Sequence, residues 1–330
     1  MDMEIPVIDL SGLGNGDATE RSQTLARLHE ACKDWGFFWV ENHGVDGALM
    51  EEVKSFVHSH YEEQLKDEFY ASDLAKDLHA AAAGRPEDQD SSNKHVSDQA
   101  VDWETAYFVR HHPNSNVADF PEIPPATREV LDVYIGQMVS LAEQLAEGMS
   151  LNLGLKGGPN HIRDTFAPPF VGTKFAMYPA CPRPDLVWGL RAHTDAGGII
   201  LLLQDDVVGG LEFLRPTGAR REEWVPVGPT KGGRIFVNVG DQVEVMSGGA
   251  YRSVLHRVAA GTEGRRLSVA TFYNPGADAV VAPAAREAEE KEPCCCYPGP
   301  YRFGDYLQYY QGTKFEDKAA RFQAVKKLFG

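Results

Sequence analysis

His193-Thr194-Asp195, answered some sixty residues later by His256, is the feature that most restricts how this chain can fold. Two imidazoles and one carboxylate are the donor set that holds an iron(II) ion on one face and leaves the opposite positions open for substrate and oxygen. In an extended strand alternate side chains share a face, so His193 and Asp195 can reach one ion from the same side. A third ligand so far along the chain must then come from another strand of a closed or folded-over sheet. Beyond His256 stands Arg266-Leu267-Ser268, and both halves of the pattern lie in strand-like sequence.

The surrounding segment has the period that such a sheet needs. Between Phe170 and Pro275, short apolar runs alternate with Gly and Pro: Val171 to Tyr178, Ile199 to Gln204, Leu211 to Leu214, Trp224 to Val227, Ile235 to Val239, Val254 to Ala259 and Arg266 to Tyr273. Strands of this length and spacing predict a β-sandwich or jelly roll, and a barrel of that kind can hold one small ligand in its mouth.

Helices are expected to flank this β core. Residues from about Glu20 to Asp34 place Leu25, Leu28, His29 and Cys32 on one side. From Pro125 to Leu153, Val130, Leu131, Tyr134, Met138, Leu141, Leu145 and Met149 recur at three- and four-residue steps, a buried stripe suited to bracing a sheet. The tail from Tyr301 to Gly330 returns to helical spacing. Strands are expected at Ile5-Pro6-Val7-Ile8-Asp9-Leu10 and Trp35 to Val40, and a mobile loop from about Ala80 to Gln99. No period of 20 to 50 residues repeats. The chain therefore divides into an amino-terminal region (1–165), a β core (166–282) and a loop with a helical tail (283–330), together one structural unit.

Composition excludes several function classes. A net charge of -16 repels nucleic acid and anionic membrane surfaces. The sequence has no apolar run of about 18 residues, and Met1-Asp2-Met3-Glu4 is acidic, so neither a membrane span nor a secretory signal is expected and the cytoplasm is the expected compartment. Of the five cysteines, Cys294-Cys295-Cys296 form a run that matches no zinc framework and reads as an exposed loop insertion.

With these residues in view, the chain resembles the iron(II)-dependent dioxygenases of the double-stranded β-helix fold, and within them plant 1-aminocyclopropane-1-carboxylate oxidase, the ethylene-forming family. The resemblance spans nearly the whole length. Trp35-Gly36-Phe37-Phe38 and Asn42-His43-Gly44 are shared with the wider superfamily. More specific are Asp102-Trp103-Glu104-Thr105 with Arg110-His111, Gly189 through Leu202, Gln204-Asp205-Asp206, Ser268 through Pro275, and the tail from Gly312-Thr313-Lys314-Phe315 to Arg321-Phe322. Ala196-Gly197-Gly198-Ile199 is the stretch that separates this family from relatives using 2-oxoglutarate.

The resemblance implies roles residue by residue. His193, Asp195 and His256 would hold Fe(II). Arg266 and Ser268 would form an anion site serving ascorbate, bicarbonate or substrate, a use suited to the planar fork of arginine. Lys174, which shares a strand face with Tyr178, and Arg191, which shares one with His193, would add charge around the iron. Arg321 and Lys318 match tail positions linked to bicarbonate activation. The implied reaction converts 1-aminocyclopropane-1-carboxylate and O2 to ethylene, carbon dioxide and cyanide, with ascorbate as cosubstrate and bicarbonate or CO2 as activator.

Two departures stand out. Met177 replaces a usual Asn and would remove an amide able to hydrogen-bond substrate or a metal-bound water; Ala319-Ala320 replace a usual Glu-Pro and would alter how the tail helix begins. A 2-oxoglutarate-dependent hydroxylase or desaturase of a plant small molecule, and a metal-free binding protein on the same barrel, stay open as other readings. Oligomeric state is not legible.

Overall fold

Strands form where β-branched and aromatic residues alternate between glycine and proline turns. The structure is a computed structural model that describes residues 4–14, 16–83, 102–216, 222–285 and 296–329. In chain order the strands of its two main sheets are β1 (Val7–Asp9), β2 (Phe37–Glu41), β3 (Thr105–His112), β4 (Phe170–Tyr178), β5 (Trp188–His193), β6 (Ile199–Gln204), β7 (Leu211–Pro216), β8 (Glu222–Val227), β9 (Ile235–Val239), β10 (His256–Ala259) and β11 (Arg266–Asn274). The larger sheet runs β1-β2-β9-β6-β11-β4-β3 and the smaller β5-β10-β7-β8. The two main sheets are the jelly roll expected from the strand pattern and agree with the double-stranded β-helix that the resemblance implies.

The two-residue period sorts the large sheet into two faces. Thr173, Phe175 and Met177 on β4, Leu201 and Leu203 on β6, Val237 on β9 and Val269 on β11 turn away from the cavity and are buried. Their even-numbered neighbours, among them Lys174, Tyr178, Leu202, Asn238 and Ser268, line the space between the sheets. Because parity is conserved along each strand, one register places Lys174, Tyr178, Arg266 and Ser268 on the cavity side. It also places Met177 in the core, 1% exposed, so the expectation that this substitution removes a group from the site is corrected.

The outer face of that sheet is braced by the helix Pro125–Leu153, which starts with proline in its first turn and ends where Gly154 takes φ 58°, a left-handed stop that suits glycine. Leu131, Tyr134, Met138, Leu141, Leu145 and Met149 are all buried along it, in the same core as Ile8 and the tail residues Phe322 and Val325. An earlier helix, Ala18–Glu30, is fixed by an Asp17–Glu20 capping box. The expected loop from Ala80 is corrected at its start, since Asp73–Ala83 is helical; the rest of it, from 84, lies outside the described residues. The helix Gly47–His60 and strands β3 and β5 were not anticipated as elements.

One buried histidine gives the fold a pH signature. On β3, His111 is 8% exposed and shares a hydrogen bond with Thr173 Oγ1 at 3.1 Å. Burial lowers its pKa from 6.5 to about 4. The folded state thus favours the neutral ring: its contribution is complete above pH 6.5, declines as pH falls, and is gone below about pH 4. The linkage is on the order of 3 kcal/mol. Denaturant titrations of His111→Gln between pH 4 and 7 should show a stability slope shallower by nearly one proton than the parent; parallel slopes would show that His111 titrates normally.

Candidate metal centre

The three donors come from two strand ends and one loop. His193 closes β5, His256 opens β10, and the two are direct partners across the antiparallel ladder. Asp195 lies beyond the end of β5, so the expectation that it shares a strand with His193 is corrected. A loop carboxylate needs another restraint, and hydrogen bonds to the start of the helix Asp241–Met246 supply it: Asp241 N donates to Asp195 O (2.8 Å), Gln242 N to Gly197 O (2.9 Å) and Gly240 N to Gly198 O (2.8 Å). The approach is close enough that a Cβ on Gly197 would overlap Asn274 Oδ1, and one on Gly240 would overlap Gly197 O. Glycine is therefore required here for space rather than for a special φ.

The donors are held in ligand form. Their ligand atoms lie within 4.8 Å of one another, and the residues are 4%, 8% and 8% exposed for His193, Asp195 and His256. Burial, and then the neighbouring His256, drives the His193 pKa well below its ordinary value, which keeps the imidazole neutral. With His193 Nδ1 bonded to Arg191 O at 2.8 Å, the Nε2 lone pair is left facing the cluster. Asn238 Nδ2 donates to Asp195 Oδ2 at 2.8 Å, orienting the carboxylate. Two buried imidazoles and one oriented carboxylate beside a cavity fit iron(II).

That cavity is about 390 Å³. Phe108, Phe170 and Phe272 line part of it, while Lys174, Tyr178, Arg266 and Ser268 bring polar groups to its wall. The cations differ in what they face. Lys174 gives its charge to Glu104 (2.6 and 2.8 Å). Arg191 is bonded to Asp102 (2.9 Å) and stacked 3.8 Å over the Phe315 ring, outside the cavity lining. Arg266 donates from Nη2 to Gln204 Oε1 at 2.8 Å, while its buried Nε and Nη1 have no hydrogen-bond partner. The two orphaned guanidinium nitrogens leave N–H donors that a carboxylate or similar anion could satisfy. Tyr178 is kept neutral, its pKa raised by burial and then by the Glu104 charge.

The tail folds back over the ligand loop. Arg321, 2% exposed, points its guanidinium at Asp241 Oδ2 (3.4 Å), not at the cavity. Lys318 is held by Glu244 Oε2 (2.6 Å) and Ser253 O (2.5 Å). Asp317 Oδ1 accepts from Ala319 N at 2.8 Å, so the tail helix starts on an acidic cap in place of a proline. Three contributors were missed in the sequence: Asn238, Gln204 as the holder of Arg266, and Lys314, which lines the cavity with its pKa lowered by burial and by nearby Lys174. Lys314 and Gln204 stood inside noted motifs; Asn238 carried no local signal. Cys296 is exposed, and Cys294 and Cys295 lie outside the described residues.

Residues 168–275 match the 2OG-Fe(II) oxygenase superfamily, and residues 5–127 match a family described as non-haem dioxygenase in morphine synthesis N-terminal. The chain is 46% identical to 1-aminocyclopropane-1-carboxylate oxidase 1 of Arabidopsis thaliana, over 99% of this chain and 96% of that one. It is 43% identical to 1-aminocyclopropane-1-carboxylate oxidase 1 of Oryza sativa subsp. japonica, over 98% and 94%. Among solved structures it is similar to JOX2 in complex with 2OG, Fe and JA (TM-score 0.76, 29% identity, 98% of this chain and 89% of that one) and to a rice dioxygenase for auxin oxidation (TM-score 0.71, 28% identity, 99% and 100%).

The donor arrangement makes a direct prediction. In calorimetric titration of the metal-free protein with cobalt(II) or anaerobic iron(II), Asp195→Ala should lose at least about a hundredfold in affinity and Asn238→Ala about tenfold, with thermal unfolding of the metal-free forms little changed for Asp195→Ala. Parent-like binding by Asp195→Ala would remove it from the ligand set.

Proposed function

The chain belongs to the 1-aminocyclopropane-1-carboxylate oxidase family, and we propose that it carries out the reaction of that family: iron(II)- and ascorbate-dependent oxidation of 1-aminocyclopropane-1-carboxylate to ethylene, carbon dioxide and cyanide, activated by bicarbonate or CO2. The observation that carries this reading is the buried His193–Asp195–His256 cluster opening onto a cavity with an unsatisfied Arg266. Reducing O2 to two waters takes four electrons; substrate fragmentation gives two and ascorbate the other two. Iron(II), when bound, supplies the centre at which substrate and oxygen meet.

The chain's own residues do the rest. Arg266 and Ser268 offer charge-assisted bonds to an anionic group of substrate, ascorbate or bicarbonate. Lys174 and Tyr178 form the wall beside them, with Glu104 setting the Lys174 position. Arg191, tied to Asp102, holds the backbone carbonyl that orients His193. The phenylalanines and Leu202 keep water off the cavity, which strengthens each polar contact inside it. None of the described helices is long and apolar enough to cross a membrane.

A second reading, a 2-oxoglutarate-dependent oxygenase, is favoured by the relative solved with 2OG and by the unpartnered buried nitrogens of Arg266. Gas chromatography separates the two. Ethylene should form with the aminocyclopropane acid, iron(II) and ascorbate, without 2-oxoglutarate; succinate released in step with product would instead establish the second reading.

Arg266 and Arg321 should respond differently. Arg266→Ala is expected to raise the half-saturating bicarbonate or ascorbate concentration and to cut turnover at least about tenfold. Arg321→Ala strips a buried partner from Asp241, so it should cost about 3–5 kcal/mol of stability while folded enzyme keeps the parent's bicarbonate dependence. A shifted bicarbonate curve for Arg321→Ala at full folding would return the tail arginine to the activator site.

A further inference from the structure

The two imidazoles of the cluster are restrained unequally. His193 is pinned by a 2.8 Å bond from Nδ1 to Arg191 O, whereas His256 Nδ1 lies 3.4 Å from Val254 O, beyond the usual N–H···O range. Something else must hold the His256 plane. Phe213 is the direct partner of His256 across the β7–β10 ladder, and its ring lies stacked on the imidazole, with centroids 4.8 Å apart and planes 14° from parallel. Phe213 is itself 1% exposed and wedged against Phe37 (4.5 Å) and Phe236 (5.3 Å), so its plane is fixed by the core between the sheets.

We propose that Phe213 is a positioning residue for the metal ligand His256, setting the imidazole plane by stacking where the hydrogen bond is too long to do so. Cross-strand neighbours in a ladder interact directly, and parallel offset aromatic pairs have a preferred geometry that resists rotation of either ring. A second contribution has the same sign. Coordination draws electron density from the imidazole, and a ring made more positive is attracted to the electron-rich face of phenylalanine. The stack therefore favours the liganded His256 over the free one. An aliphatic side chain of similar size would fill the same space without either effect.

The test uses the full chain in its metal-free form and needs no substrate, so it stands or falls independently of the proposed reaction. Cobalt(II) and anaerobic iron(II) are titrated calorimetrically, and visible spectra of the cobalt(II) form are recorded, for the parent, Phe213→Leu, Phe213→Met and Phe236→Leu. Phe236 belongs to the same aromatic cluster but makes no ring contact with His256 among the described residues, so Phe236→Leu controls for core damage. Phe213→Leu and Phe213→Met should each bind metal about tenfold more weakly and shift the cobalt(II) bands, whereas Phe236→Leu should lose comparable thermal stability and keep the parent's affinity and spectrum. Parent-like affinity and spectra in both Phe213 variants, or an equal loss in Phe236→Leu, would overturn the proposal and leave Phe213 as core packing only.

Discussion

A fully buried carboxylate, that of Asp241, ties the structure together. It is 0% exposed, and burial raises its pKa while Lys318 and Arg321 pull it back down. A charge so placed is costly unless surrounding groups satisfy it. Oδ2 accepts from Thr194 Oγ1 at 3.2 Å and Tyr306 OH at 2.6 Å, and faces Arg321 Nη1 at 3.4 Å. Its backbone N–H holds Asp195 O. Tyr310 OH adds a 2.5 Å bond to Thr194 O, and Tyr301 OH one of 2.7 Å to the neighbouring Gln242. The tail and the ligand loop thus converge on one side chain. A shift of either leaves the Asp241 charge short of a partner, so docking of the tail and placement of the Asp195 loop are one energetic event.

The part of this that could be read in the sequence is the part that local periodicity encodes. Most strand ranges of the core and the helix Pro125–Leu153 follow from spacing, because two-residue and 3.6-residue periods leave marks within a few positions; His193, Asp195 and His256 were legible as a donor set, although β5 was not and Asp195 lies past its end. Asp241 and Asn238 leave none. Each is an ordinary polar residue whose meaning arises only when β9 and the following turn meet the 195–198 loop. The same holds for Asp102 and Glu104: their motif was visible, yet that they pair with Arg191 and Lys174 depends on β3 lying beside β4 and on Trp103 N bonding Trp188 O. Arg321 looked like a cation free to meet a ligand; its helical spacing gave no hint that a buried acid waited beneath it.

Those pairings decide the charge of the cavity. Lys174 and Arg191 are matched by Glu104 and Asp102, so neither contributes a full unscreened charge. Arg266 and Lys314 line the cavity with no carboxylate in contact among the described residues, and burial lowers the pKa of each, which measures what their charges cost in this environment. Adding a divalent ion against the single carboxylate of Asp195 leaves a marked positive excess between apolar walls. In such a low-dielectric space anions are drawn in, and an amino acid carboxylate, ascorbate and bicarbonate all share that feature.

The two unmatched cations reach the cavity by different routes. Arg266 stands on a core strand, fixed by Gln204 from β6, and is present however the tail lies. Lys314 sits between the helices Phe303–Thr313 and Lys318–Phe329 and arrives only with the tail. Because tail docking runs through Asp241, the full positive complement of the cavity is assembled by the same contacts that hold the Asp195 loop. Charge for binding anions and geometry for holding metal therefore depend on one buried network, and a substitution that undocks the tail would be felt at both, whereas one that lowers stability but leaves the folded tail docked, as expected for Arg321→Ala, would be felt at neither.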